Sequence, residues 1–231
     1  MQESYSSQEP QVTHETRWAI IGCGDVCEHK GGPPLYRLPG QRLIACHRRN
    51  VALGHDYAAR HGPCEFIEDP DELLQRQDID VVYVATPPSQ HEAHCLAAAA
   101  AGKAVLVEKP MASDTAACRR IVAACAAAEV TLAVAYYRRG YASVQRLRSW
   151  LQQRGPRLTG VLSLNDQFPT SHRIDLVHYW AGAITEMRLI EDTLPFRAEA
   201  RGEVVVLHTE SGLQVRMGLR WGELAQQAEH I

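Results

Sequence analysis

From Trp18 to Val134 apolar residues gather in short aliphatic runs, at Trp18–Ile21, Leu43–Cys46, Val81–Ala85, Val105–Val107 and Leu132–Val134. Between the runs the spacing turns helical, over Ala52–Arg60, Asp71–Gln77, His91–Ala101 and Thr115–Ala128. The runs are apolar at successive positions, so both faces of each strand must be covered, which is the signature of a parallel sheet between helices. Strands alternating with helices over short connections predict a doubly wound α/β domain. Asp69-Pro70 reads as a helix start, and Gly102 after the Ala-rich helix as a stop.

After Tyr137 the texture changes. Tyr141–Gln153 predicts an amphipathic helix ended near Gly155-Pro156, Leu158–Leu164 a strand, and Ile174–Trp180 a helix closed by Gly182. Glu203–His208 and Leu213–Leu219 flank Thr209-Glu210-Ser211-Gly212, the pattern of a β-hairpin. The expected organisation is a loose polar tail over 1–15, a dinucleotide-binding domain over 16–138 and a smaller α+β domain over 139–231. No internal repeat or low-complexity linker interrupts it.

Composition narrows the function classes. A chain of 231 residues that is 45% hydrophobic can bury the cores of two domains. A net charge of −3 offers no general attraction to nucleic acid or to a membrane surface. No apolar run approaches the ~20 residues needed to cross a bilayer, and the opening MQESYSSQEPQ lacks an apolar signal centre. The seven cysteines form no zinc-type CxxC pair and sit mostly in apolar patterns, which points to a reducing cytoplasm. His91 and His94 are three apart, not the four of HExxH, so no metal site is expected there. Arg146 and Arg148, close in sequence to Arg138 and Arg139, read as a solvated basic face, while His29 and Lys30, just past the glycine loop, are either solvated or in reach of cofactor phosphate or substrate.

The chemistry begins at AIIGCGDVC, which sets Gly22 and Gly24 directly after the first strand. Such a turn lets a pyrophosphate approach bare backbone, here that of Gly22, Gly24, Asp25 and Val26. Cys27 takes the small position that allows helix and strand to pack closely, and Gly31-Gly32-Pro33-Pro34 must cut the first helix short. After the second strand an acidic residue would bind the ribose hydroxyls of NAD. Arg48 and Arg49 stand there instead, and two guanidiniums suit the 2′-phosphate of NADP(H), with NAD(H) the lesser choice.

The fifth strand ends in VLVEKPM, where Glu108, Lys109 and Pro110 follow three aliphatic residues. Together IIGCGDVC, VVYVATPPSQH, VLVEKPMA and VAYYRRGY, in that order and spacing, resemble the Gfo/Idh/MocA family of NAD(P)-dependent oxidoreductases. The likeness covers Arg17 to Arg139 closely and continues more loosely through SHRIDLVHYWAG. It implies a Rossmann domain followed by an α+β domain with an open, mostly antiparallel sheet that serves oligomer contacts. It also implies hydride transfer between the nicotinamide and a sugar, cyclitol or polyol hydroxyl. By motif, Glu108, Lys109 and Pro110 lie beside the nicotinamide with the Lys-Pro peptide cis, and Lys109 contacts the reacting hydroxyl. Thr86, Pro87 and His91 belong to a loop over the dinucleotide, and Arg138 reaches the active site. The residues agree with these roles, because an amine held by a proline-fixed backbone can polarise an oxygen or relay its proton. Glu108 can either orient that amine or turn to backbone.

The resemblance also implies an Asp four residues before a catalytic His at a helix start. His172 matches the His and Asp175 the acid after it, but Phe168 stands where the Asp belongs, with Asp166 nearby. The Leu164–Ser171 segment looks shortened, and the sequence ends at Ile231 where relatives add strands. A shortened C-terminal domain with uncovered strand edges leads to the expectation of a homodimer or higher homo-oligomer. His172 is then the expected proton carrier near neutral pH. The rival expectation is a weak or inactive relative that binds NADP(H) as a sensor or assembly partner.

Overall fold

The computed structural model describes residues 15–154, 161–164, 170–193 and 201–218. Two compact units divide the chain, Met1–Ala135 and Tyr136–Ile231.

In the first unit the strands are β1 (Thr16–Ile21), β2 (Gln41–His47), β3 (Glu65–Phe66), β4 (Val81–Val84), β5 (Ala104–Val107) and β6 (Leu132–Val134). They form one sheet in the order β3-β2-β1-β4-β5-β6, and every neighbouring pair is parallel. The connecting helices are α1 (Asp25–His29), α2 (Pro34–Arg37), α3 (Val51–Arg60), α4 (Pro70–Gln75), α5 (Pro88–Ala100) and α6 (Thr115–Ala127). Alternation along β1 sorts the core into two layers. Ala19 and Ile21 pack with Leu73, Cys95, Ala98 and Ile121 from α4, α5 and α6. Ile20 packs on the opposite side with Cys27, Leu35 and Tyr57 from α1, α2 and α3. Helices therefore cover both faces, the doubly wound arrangement that the apolar runs predict. Side-chain caps start three of them: Asn50 accepts from the Leu53 N–H at 3.1 Å, Asp69 from Asp71 at 2.9 Å and Asp114 from Ala117 at 2.8 Å.

The second unit opens with a 3₁₀ turn (Tyr137–Gly140), followed by α7 (Ala142–Arg154), β7 (Val161–Leu164), α8 (Thr170–Ala181), β8 (Ile184–Thr193), β9 (Arg201–Thr209) and β10 (Gln214–Gly218). Its sheet runs β7-β10-β9-β8. β9 is antiparallel to both neighbours, while β10 and β7 are parallel, so the sheet is mostly antiparallel. The expected hairpin is β9–β10. Val177 and Ala181 of α8 pack on one face with Val205, Leu207, Val215 and Met217. The long strand β8 has no counterpart in the sequence reading. Phe168, Asp166, the tail over 1–14 and the stretch after 218 lie outside the described residues.

Candidate functional site

The strand order reverses direction between β1 and β4, and in a parallel sheet ligands bind beyond the carboxyl ends at such a switch point. The loop after β1 carries Gly22 with φ +92°, a left-handed conformation that side chains resist. A Cβ on Gly22 would also lie 2.7 Å from both Cγ2 and the backbone N of Thr86, so the first loop presses directly on the loop after β4. The turn is tied across the sheet: the N–H groups of Gly22 and Cys23 donate to the His47 carbonyl at 2.9 and 3.1 Å, and the Gly24 N–H returns to Gly22 O at 2.7 Å. Cys27 is fully buried, and burial pushes its thiol up from the ordinary range, so it acts here as a small packing residue. Among the described residues the N–H groups of Asp25 and Val26 have no acceptor, as the first turn of a helix dictates.

At the end of β2, Arg48 is half-buried and donates through Nη1 to the Cys23 carbonyl at 3.0 Å, inside the glycine loop. Arg49 is exposed beside it. Arg48 thus has a backbone-anchoring contact that the sequence reading did not contain.

Thr86 and Pro87 follow β4, and the Thr86 hydroxyl is buried without a hydrogen-bond partner. Such an orphaned donor–acceptor next to a glycine turn is a polar group prepared for a ligand atom. His91 follows in the first turn of α5. It is 0% exposed, and each ring nitrogen faces a carbonyl: Nε2 lies 2.6 Å from Thr86 O and Nδ1 3.0 Å from Pro110 O. A neutral imidazole donates one of these bonds and the doubly protonated ring both. With both nitrogens taken and no surface exposed, His91 fastens the β4 loop to the β5 loop from beneath.

The β5 loop carries Glu108, Lys109 and Pro110, and the Lys109-Pro110 peptide is cis. Glu108 accepts from the Tyr83 hydroxyl at 2.6 Å and from the Lys109 backbone N–H at 3.1 Å. Of the two expectations for Glu108, the turn toward backbone is the one realised. Lys109 is half-buried, and its ammonium has no hydrogen bond or ion pair among the described residues. Glycine turn, Thr86 and Lys109 therefore sit at the ends of three adjacent strands, β1, β4 and β5.

In the second unit His172 occupies the first turn of α8 and is 2% exposed. Its ring meets Tyr136 and Tyr137 edge-on, with centroids at 5.5 and 5.3 Å. The Arg138 guanidinium lies over Tyr137 at 5.6 Å. Arg139 pairs with both oxygens of Asp175, which holds the guanidinium above its ordinary range.

Residues 16–136 match a family model described as an oxidoreductase family with an NAD-binding Rossmann fold, Gfo/Idh/MocA. An oxidoreductase, P35, of Formosa agariphila is 41% identical over 122 residues, 53% of this chain and 38% of that protein. An inositol 2-dehydrogenase of Acidothermus cellulolyticus is 35% identical over 108 residues, 47% of this chain and 32% of that protein. The matches thus span well under half the length of these relatives. Among solved structures, the WlbA dehydrogenase of Bordetella pertussis, in complex with NADH and UDP-GlcNAcA, agrees at a TM-score of 0.74 and 21% identity. That likeness covers 90% of this chain and 67% of the other, and it is a likeness of fold.

Proposed function

The chain belongs to the Gfo/Idh/MocA oxidoreductase family, and on that premise we propose that it is an NADP(H)-dependent oxidoreductase acting on a sugar-, cyclitol- or polyol-type hydroxyl or the matching carbonyl. What supports the reading is the juxtaposition of glycine turn, Thr86 hydroxyl and unpaired Lys109 ammonium at the carboxyl ends of adjacent strands. The substrate class takes support from the cyclitol named for the Acidothermus relative.

The residues present fit a dinucleotide. Backbone N–H groups of the Gly22–Val26 turn would hold the pyrophosphate, and the buried Thr86 hydroxyl would take a further polar atom. When bound, the nicotinamide supplies the hydride acceptor or donor. Oxidising a carbinol also requires its hydroxyl proton to leave. Lys109 is assigned to that oxygen: its ammonium stabilises developing negative charge, and the amine form accepts the proton. Arg48 and Arg49 are assigned to the 2′-phosphate, since β2 is followed by Arg48-Arg49-Asn50 without an acid to hold ribose hydroxyls. His172 is assigned proton exchange and Arg138 a supporting contact, the roles that the family motif carries.

Fluorescence titration with both reduced dinucleotides tests the cofactor choice. NADPH should bind about ten- to a hundred-fold more tightly than NADH, and Arg48→Ala with Arg49→Ala should erase that difference. Tighter binding of NADH by the native chain would refute the assignment.

A further inference from the structure

Glu108 and Lys109 are neighbours of opposite charge, and an ammonium beside a carboxylate ordinarily pairs with it. Here the carboxylate is occupied. Oε1 accepts from the Tyr83 hydroxyl at 2.6 Å and Oε2 from the Lys109 backbone N–H at 3.1 Å, so both oxygens are turned toward fixed donors. Tyr83 lies in the central strand β4 and is 1% exposed. Burial pushes its phenol well above the ordinary range, so it stays a donor at every working pH. Its hydroxyl occupies space left by Gly31: a Cβ there would come within 2.1 Å of the oxygen. Glycine at position 31, the tyrosine and the carboxylate thus form one fitted stack behind the lysine.

We propose that Tyr83 is a positioning residue for Lys109: by holding the Glu108 carboxylate against β4, it denies that carboxylate to the Lys109 ammonium and leaves the ammonium for the substrate oxygen. The inference rests on the oxidoreductase reading above for the ammonium's use, but the pairing it describes exists in the protein alone. Among the described residues the titratable groups shown to act on Glu108 are few. Tyr83 faces it from β4, and the buried Cys27 thiol approaches from α1. Tyr57 of α3 stands behind Cys27, donating to its carbonyl at 3.3 Å, and His91 of α5 lies under Pro110. None of these is a cation in contact with Glu108, and the Lys109 ammonium is carried by the very next residue, so a carboxylate released by Tyr83 is free to turn toward it.

The test is competitive acetylation of the intact protein with acetic anhydride, read at each lysine by mass spectrometry with exposed Lys30 as internal reference. Tyr83→Phe keeps the ring and removes only the hydroxyl. It should slow labelling of Lys109 about ten-fold, because an ion-paired ammonium yields less free amine. Adding Glu108→Gln to Tyr83→Phe should restore the native rate, since an amide cannot pair with the ammonium. A general loosening of the fold would instead speed labelling in both variants. Labelling of Lys109 that is unchanged or faster in Tyr83→Phe, or not restored in the double variant, overturns the proposal. Turnover of the native chain and of Lys109→Ala is measured alongside: full activity in the variant would refute the role assigned to the Lys109 ammonium, while the labelling result judges the Tyr83 inference on its own.

Discussion

Gly22 meets two demands at once, a left-handed φ of +92° and a 2.7 Å approach to the Thr86 backbone. Neither yields to a side chain, because main-chain atoms of Thr86 and Ala85 stand in the way beside the Thr86 methyl. Gly22→Ala should therefore cost roughly 1–3 kcal/mol in urea unfolding and also weaken dinucleotide binding. Equal stability with intact binding would show that the two loops are not in contact. The glycines and Lys109 were legible in the sequence because motif and strand end coincide. The partners of those residues were not. Tyr83 meets Glu108, Arg48 meets Cys23 and His91 meets Pro110 across 19 to 25 positions, and no local pattern records a bond made by folding. For that reason neither the anchor of Arg48 on the glycine loop nor the buried tie made by His91 shows in the sequence.

The ties between elements decide how firmly the loops are held. Removing His91 leaves the Thr86 and Pro110 carbonyls without their bond and opens a void under both loops. His91→Ala should destabilise the fold by roughly 2–4 kcal/mol and weaken dinucleotide binding, and an unchanged denaturation midpoint would contradict the tie. A second knot joins α1, α2 and α3. The Glu28 carboxylate accepts from both ends of the Arg60 guanidinium at 2.7 and 2.8 Å and from His61 Nε2 at 2.7 Å, while His61 Nδ1 meets the Tyr36 hydroxyl at 2.9 Å. Arg60 is the larger cause, with His61 behind it, and together they hold Glu28 at about 2 against an ordinary 4.5. A depressed carboxyl stabilises the folded state above its unfolded value and loses that contribution as pH falls through the folded one. Melting temperature should accordingly fall between about pH 4.5 and pH 2, and Glu28→Gln should flatten that slope, at a cost on the order of 1 kcal/mol near neutrality. A slope unaltered by the substitution would show that other carboxylates carry the acid response.

For the whole molecule, legibility follows burial. The six-stranded sheet was readable because its central strands are covered on both faces and write unbroken aliphatic runs. Its short pieces, two residues of β3 and four of α2, carry too few positions for any period to show. β8 escaped notice for another reason. Ile184–Thr193 mixes Glu, Arg and Asp with aliphatics, and Met187 and Leu189 are 66% and 58% exposed, so its apolar positions do not mark out a buried face. The second unit is thus the part whose sequence says least about its shape. The central proposal is that a lysine after the fifth strand, without an ion pair among the described residues, acts on the oxygen of a hydroxyl while hydride moves. The direct measurement follows NADPH absorbance across a panel of sugars, cyclitols and polyols with the native chain and with Lys109→Ala. The account predicts at least one substrate whose kcat falls about 100- to 10,000-fold in the variant while dinucleotide affinity holds. Tight NADPH binding with no substrate turned over in a Lys109-dependent way would contradict it.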